Sequence, residues 1–221
     1  MSTPLRPAAA CLTRASITSS LKVELRRLTR SGLGLGVLVG FAFFGLSGPV
    51  LSIYMPEILG AAASTDQLAI SASQATPADA ISLFNQSAMQ LGLIVTVAVA
   101  ITSIGWDTRP GSSIFYRTRV HRLSTVLLPR LIIDWLIALA TYSCGLLLAV
   151  VVTASAIGHP PAGMVIRTWI ACGLYIVMAM SIGHLIAASL RRTTTAIALT
   201  TLLVLVLPVM NQVPGTSRWV P

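Results

Sequence analysis

The chain has 221 residues, of which 55% are apolar and only 10% are charged. About a quarter of the residues in a soluble domain are charged, so this composition excludes an ordinary soluble protein and indicates a membrane protein. The net charge of +9 would also suit a nucleic-acid-binding protein. However, the basic residues stand at the ends of apolar runs without interleaved aromatic residues, so we expect no nucleic acid partner. Membrane topology and attraction to anionic lipid explain the charge better.

Five apolar runs are long enough to cross a bilayer, because about 20 residues of helix cover the ~30 Å hydrocarbon core. The predicted fold class is therefore all-α: a polytopic α-helical membrane protein with five transmembrane helices in a domain of residues 31–221. The predicted spans are approximately residues 32–55, 83–106, 131–157, 169–190 and 194–213.

The basic residues alternate between the gaps that separate these spans. Thirteen of the fifteen stand before the first span, between the second and third, or between the fourth and fifth. The gap of residues 56–82 has no basic residue. The gap between the third and fourth spans has one, Arg167, and the C-terminal tail has one, Arg218. Basic residues are retained on the cytoplasmic side during insertion. The pattern therefore predicts a multi-pass protein of the plasma (cytoplasmic) membrane, with the N-terminus in the cytoplasm and the C-terminus outside.

The N-terminal region is predicted to have two parts. Residues 1–15 are polar to mixed, which favours a disordered cytoplasmic tail, and we expect no secretory signal because no apolar core follows the first arginine. In residues 16–30, apolar side chains alternate with basic ones at near-helical spacing. This predicts a basic amphipathic helix lying in the cytoplasmic interface.

The first span is rich in glycine. Gly32, Gly36 and Gly40 follow one another at intervals of four residues, the spacing that lets helix backbones approach closely in lipid. A phosphate-binding loop is a poor interpretation of these glycines, because no strand precedes them and no Lys-Ser/Thr pair follows. We expect a helix-packing face.

Several polar residues lie within the predicted spans or near their ends, and they are candidates for functional or structural roles. Asn85, Gln90 and Asn211 are candidates for lining a transport pathway, although interfacial amides that reach towards water are the better interpretation of the first two. Arg130 and Asp134 are four residues apart on one helix face, which predicts an intrahelical ion pair. His184 could relay protons, but no second acid or histidine shares its span at helical spacing, so we expect a hydrogen-bonded packing residue.

The cytoplasmic gap after residue 106 contains a second candidate helix. The chain breaks at Pro110-Gly111 and continues over residues 111–122 as a stretch with apolar residues on one side and basic residues on the other. Such a helix suits docking against a cytosolic partner, and it equally suits a membrane surface without a partner.

Nothing in the sequence indicates catalysis. The three cysteines are widely spaced and lack metal-ligand spacing, so we expect packing residues and no metal or cofactor. The chain also lacks a Walker loop, paired catalytic carboxylates and a recognisable Ser/His/Asp set. We therefore expect no enzymatic activity in this chain.

The order of these features resembles the membrane subunit of type 2 ABC transporters, the permeases that export drugs, antibiotic peptides and polysaccharides. The resemblance starts with a basic interfacial helix that includes an acid, Lys22-Val-Glu24-Leu-Arg-Arg. The second span is followed by Asp107 and then Gly111-Ser112, although Asp107 stands where the family usually has Glu. A basic stretch and Arg130, which opens the third span, complete the match.

The resemblance implies an exporter permease that works by alternating access. Residues 16–30 would be its connecting helix and residues 111–122 the coupling helix on which a cytosolic ABC ATPase docks. ATP and Mg would bind only in that ATPase, and a second permease copy or a paralogue would complete a dimer. The family generally has six spans, so the last one is expected to be lacking here. The implied docking residues are Phe115, Tyr116, Arg117, Arg119 and Arg122.

Two other functions remain open at this stage. One is a non-transporting membrane protein, either an immunity or regulatory subunit or a truncated remnant. The other is an intramembrane enzyme, for which Asp134 and His184 form the only available pair of titratable residues. They belong to different predicted helices, and the sequence does not show that they meet.

Overall fold

The computed structural model describes residues 22–23, 25–27, 30–66, 75–104, 124–190 and 192–210. These residues are helical almost throughout and include no β-strand, which confirms the all-α fold class. A single turn of π-helix, Ala88–Gly92, joins α2 to α3. The α-helices are α1 (Leu33–Asp66), α2 (Pro77–Ser87), α3 (Leu93–Ile104), α4 (Ser124–Ala156), α5 (Ala162–Leu190) and α6 (Thr193–Met210).

Four stretches of the described chain are long and apolar enough to cross a membrane, which confirms a multi-pass membrane protein. They are Leu33–Ile58, Pro77–Ser103, Leu127–Ala156 and Ala162–Leu190. The fifth predicted span falls on α6, whose apolar part with described side chains, Thr193–Val206, is shorter than the others. The fifth crossing therefore stays a prediction.

Helix α1 continues beyond the predicted end of the first span. It passes through Pro49 and Pro56 and ends at Asp66, where the sequence had predicted a loop from residue 56. Each proline removes one backbone hydrogen bond, but the chain that follows contains Ala61-Ala62-Ala63, and alanine has the highest helix propensity.

Helix α2 also begins earlier than the predicted second span, because a capping box starts it. Thr76 Oγ1 accepts a hydrogen bond from the Asp79 backbone N–H at 3.3 Å. Asp79 Oδ2 in turn accepts one from the Thr76 backbone N–H at 3.2 Å. This pair satisfies two N–H groups that the first turn of a helix otherwise leaves without partners, and Pro77 at the first position needs none.

The packing of the chain divides it into two units. The first unit consists of Met1–Leu35, Thr96–Ile137 and Met178–Pro221. The second consists of Gly36–Val95 and Ala138–Val177. The described residues of α4 and α5 are therefore shared, with one part of each helix in each unit.

Glycines allow the helices of the second unit to pack closely. A Cβ atom at Gly145 of α4 would lie 2.6 Å from the carbonyl oxygen of Phe41 in α1, and one at Gly48 would lie 2.8 Å from the backbone nitrogen of Phe84 in α2. Gly45 of α1 lies against the backbone of Gly145 in the same way. Small residues permit such approaches in lipid, where packing rather than water drives helix association.

The glycines that make these contacts are not the ones that the sequence had indicated. A Cβ atom at Gly36 or Gly40 would meet no atom within 4 Å. The prediction that the four-residue spacing marks the packing glycines was wrong within the described chain, where Gly45 and Gly48, three residues apart, make the close contacts.

We expect Gly45→Ala to destabilise the protein and Gly36→Ala not to do so. The added methyl group at position 45 collides with the Gly145 backbone, and such overpacking costs about 1–3 kcal/mol. At position 36 the added methyl group lies in open space, and alanine stabilises a helix by about 1 kcal/mol relative to glycine. Thermal unfolding of the two variants in one mild detergent measures the difference, and equal unfolding temperatures would contradict the predicted Gly45 contact.

Candidate functional site

A cluster of three polar side chains lies inside the first unit. Ser103 at the end of α3, Asp134 in α4 and His184 in α5 are each at most 5% exposed. The Ser103 hydroxyl lies 2.5 Å from Asp134 Oδ2, and His184 Nε2 lies 3.6 Å from the same oxygen. The carboxylate is therefore the centre of the group, which we call the Asp134 cluster (Ser103, Asp134 and His184).

Two arginines lie beside the Asp134 cluster at the end of α3. Nη1 of Arg27 and Nη1 of Arg130 both donate to the carbonyl oxygen of Ser103, at 3.4 and 3.5 Å. The last carbonyls of a helix have no donors within the helix and carry partial negative charge, so cationic groups stabilise that end. Both bonds are long, and their contribution is mainly electrostatic.

Arg130 and Asp134, the predicted ion pair, both contact Ser103. Arg130 binds its carbonyl oxygen and Asp134 binds its hydroxyl. The direct pair between them stays a prediction. Sequence reasoning missed Ser103, because a serine near the end of an apolar run has no feature that distinguishes it from other small packing residues.

His184 is buried as expected, but the hydrogen bonds that we predicted for it are not formed. Neither Nδ1 nor Nε2 has a hydrogen-bond partner within the described chain. The Nε2 distance of 3.6 Å to Asp134 is short enough for an ion pair and too long for a hydrogen bond. A buried polar group without a hydrogen bond costs about 1–3 kcal/mol, so the ring is held in an unfavourable setting by the packing around it.

The Asp134 cluster contains the three residue types of a serine hydrolase. The connections differ from those of a nucleophile, however. Activation of a serine requires a histidine that takes its proton, with the carboxylate behind the histidine. Here the Ser103 hydroxyl lies on the carboxylate. This arrangement suits joining helices and holding a proton, and it does not support acyl transfer.

A second polar group lies in the second unit, around Asn85 of α2. Its Oδ1 accepts a hydrogen bond from the Tyr142 hydroxyl at 2.9 Å, and its Nδ2 donates to the Ile81 carbonyl at 3.0 Å. Tyr142 is fully buried, and its ring stacks on Phe84 and meets Phe41 edge to face, with both centroid separations at 5.9 Å. Such aromatic pairs and an interhelical hydrogen bond fix α1, α2 and α4 together within this unit.

The pathway candidates therefore have different settings. Asn85 uses both ends of its amide in hydrogen bonds inside the second unit, and its pathway role stays a prediction. Gln90 is exposed and lies in the π-helical turn. Turns of this kind are frequent at functional sites. Asn211 lies outside the described residues. The docking candidates also lie outside them; they are Phe115, Tyr116, Arg117, Arg119 and Arg122.

The described residues contain no group of three or more His, Cys, Asp and Glu side chains that could hold a metal ion. No protein-family model, curated protein or solved structure matches the chain.

We expect Tyr142→Phe to lower the free energy of unfolding by about 0.5–1.5 kcal/mol, because it removes the donor that binds Asn85 Oδ1. Tyr54→Phe is the matched control, since Tyr54 is 53% exposed on α1. Denaturant titration of both variants in the same detergent measures the two changes. An equal effect of the two substitutions would contradict a stabilising role for the buried hydrogen bond.

Proposed function

We propose that the protein is the transmembrane permease subunit of an ATP-driven exporter of the type 2 ABC class. The observation that carries the proposal is the pair of contacts at Ser103, which join the two helix ends on either side of residues 105–123. Arg130 and Asp134 of α4 bind the carbonyl and hydroxyl of Ser103 in α3. The predicted coupling segment, residues 111–122, lies between these two ends in the sequence.

This arrangement supports a role in transmitting force. A segment that is pushed by a partner moves the structure only if its ends are attached to elements that respond together. The polar contacts at Ser103 connect the end of α3 to the start of α4, and His184 brings α5 to the same carboxylate. Arg27 attaches the basic N-terminal segment to the same carbonyl. A push on residues 111–122 would reach these four segments, which all belong to the first unit.

In the proposed mechanism, the energy comes from a separate cytosolic ATPase that binds ATP and Mg. Closure of the ATPase pushes the coupling segment and shifts the helices between two packings. A second copy of this chain, or a paralogue, forms the transport pathway with it. The push changes the population of the two states only because the ATPase binds one of them more tightly.

We also propose that the protein lies in the cytoplasmic membrane with its N-terminus and residues 111–122 inside the cell and its C-terminus outside. The support is the alternation of basic residues along the chain, thirteen of which lie in segments that this topology places inside. The arginines that bind the Ser103 carbonyl would then lie on the cytoplasmic side.

Cysteine labelling tests this topology. In a chain whose Cys11, Cys144 and Cys172 are replaced by alanine, we expect Ser71→Cys to react with a membrane-impermeant maleimide in intact cells. Ser113→Cys should react only after the cells are permeabilised, because the positive-inside rule places it in the cytoplasm. The reverse pattern would contradict the topology and with it the docking of a cytosolic ATPase on residues 111–122.

Co-purification tests the proposed partner. A mild-detergent pull-down of the tagged chain from its native host should recover a stoichiometric ABC ATPase, identified by mass spectrometry. We expect Arg119→Glu with Arg122→Glu to reduce that recovery at least about tenfold while membrane insertion persists, because reversed charges at an interface cost several kcal/mol. The matched control, Arg167→Glu with Arg218→Glu, makes the same charge change on the predicted outer face and should retain the ATPase.

Two results would contradict the proposal. Equal recovery of the ATPase by both double variants would show that the ATPase does not dock on residues 111–122. A well-folded membrane protein recovered without any ATPase would instead favour a non-transporting regulatory or immunity subunit.

A further inference from the structure

The proposed exporter mechanism does not use the titratable side chain of His184. This side chain is buried, neither ring nitrogen has a hydrogen-bond partner within the described chain, and a buried carboxylate lies 3.6 Å from Nε2. A neutral imidazole in this position leaves one donor and one acceptor unsatisfied. A protonated imidazole would instead face a counter-charge at ion-pair distance.

We infer that Asp134 and His184 form a buried binding site for one exchangeable proton. His184 Nε2 takes the proton from water, and the imidazolium that results pairs with the Asp134 carboxylate. The Ser103 hydroxyl stabilises the carboxylate in its charged form by hydrogen bonding. No other bond forms or breaks, and the proton returns to water when the site empties. This inference does not depend on the proposed transport function.

Two residues of the cluster lie near helix ends. Ser103 is one residue from the end of α3, and His184 is six residues from the end of α5. Six helical residues cover about 9 Å. Arg27 and Arg130 bind the end of α3 beside the cluster, and we expect the proton to enter from that end.

The charged groups around the ring decide the direction of the effect. Asp134 of α4 favours the protonated ring. Arg130 of α4 and Arg27 of the N-terminal segment oppose it, since both guanidinium groups bind the neighbouring Ser103 carbonyl. The described side chains of α3 and α6 add no titratable group on this side. The carboxylate makes the direct contact with the ring, so a protonated ring would be drawn towards it.

Binding of the proton would tighten the contact between α5 and its neighbours. The residue before His184 is Gly183, where a Cβ atom would lie 3.2 Å from Thr200 Cγ2 of α6 and 3.4 Å from Ile101 Cδ1 of α3. Because α5 packs this closely against α3 and α6, a movement of the His184 ring towards Asp134 would also displace these two helices. The first unit is therefore expected to be more rigid when the site is occupied.

Nitrogen-15 NMR of the imidazole ring tests proton binding directly. The chain has three histidines, so His121→Gln with His159→Gln leaves a full-length protein in which every ring signal comes from His184. In lipid nanodiscs, the nitrogen shifts of that ring show whether it gains a proton as the pH is lowered from about 8 to about 5. With Asp134→Asn added, the same protonated fraction should need at least about a tenfold higher proton concentration, because the counter-charge is lost.

Hydrogen exchange gives a second test that does not use an Asp134 variant. After correction for intrinsic rates, we expect the amides of α5 near His184 to be at least about tenfold more protected at pH 6 than at pH 8 in the unaltered chain. The His184→Gln variant should lose this difference. His159→Gln is the control, because His159 is exposed in the connection between α4 and α5, and it should retain the difference.

Three results would overturn the inference. The first is a His184 ring that stays neutral down to about pH 5. The second is an Asp134→Asn protein that is folded by size-exclusion chromatography and titrates like its parent. The third is a His184→Gln protein whose exchange retains the pH dependence of the unaltered chain. Each would leave His184 as a packing residue, whether or not an ATPase partner is found.

Discussion

The cost of burying the Asp134 carboxylate constrains the whole first unit. A buried charge has to be offset locally, because the surrounding helices are apolar. The structure offsets it with the Ser103 hydroxyl, the His184 ring and the arginines on the Ser103 carbonyl. These partners come from different segments of the chain, so the carboxylate is satisfied only when the segments are assembled. The same contacts close the end of α3, whose last carbonyls would otherwise lack donors.

The second unit is held together by a different kind of interaction. Its helices meet through glycine contacts that bring backbones together and through the Tyr142 ring, which packs against two phenylalanines and binds one amide. None of these groups is charged, and their strength depends on shape. Such packing tolerates little change in side-chain volume, whereas a cluster of charges responds to pH and to the charge of a bound partner. The sites that could respond to a partner or a proton are therefore expected in the first unit.

The sequence predicted the membrane class and the approximate spans because hydrophobicity and charge are local properties of the chain. It could not predict which face of a helix packs. Gly36 and Gly45 are nine residues apart, which places them about 180° apart around α1, and an almost uniformly apolar helix does not indicate which side faces its neighbours. The contacts among Ser103, Asp134 and His184 could not be predicted either, because these residues are 31 and 50 positions apart in the sequence. Only Asp134 and His184 were noticeable beforehand, as ionisable residues in apolar spans. The helical extension to Asp66 was missed because hydropathy marks where an apolar run ends, while alanine continues a helix irrespective of lipid.

The Asp134 cluster also explains why one region can join helices and respond to a proton. A link made only of apolar contacts would transmit force, but it would not change with the state of the cell. A link made of fully hydrogen-bonded polar groups would be rigid, because each partner would resist displacement. Here one connection, Ser103 to Asp134, is short, and the other, His184 to Asp134, stops short of a hydrogen bond. The first is a hydrogen bond between α3 and α4, and the second is a contact of α5 that a proton on His184 would turn into an ion pair. Such a proton strengthens only the second connection, so the ends next to residues 105–123 stay joined in both states.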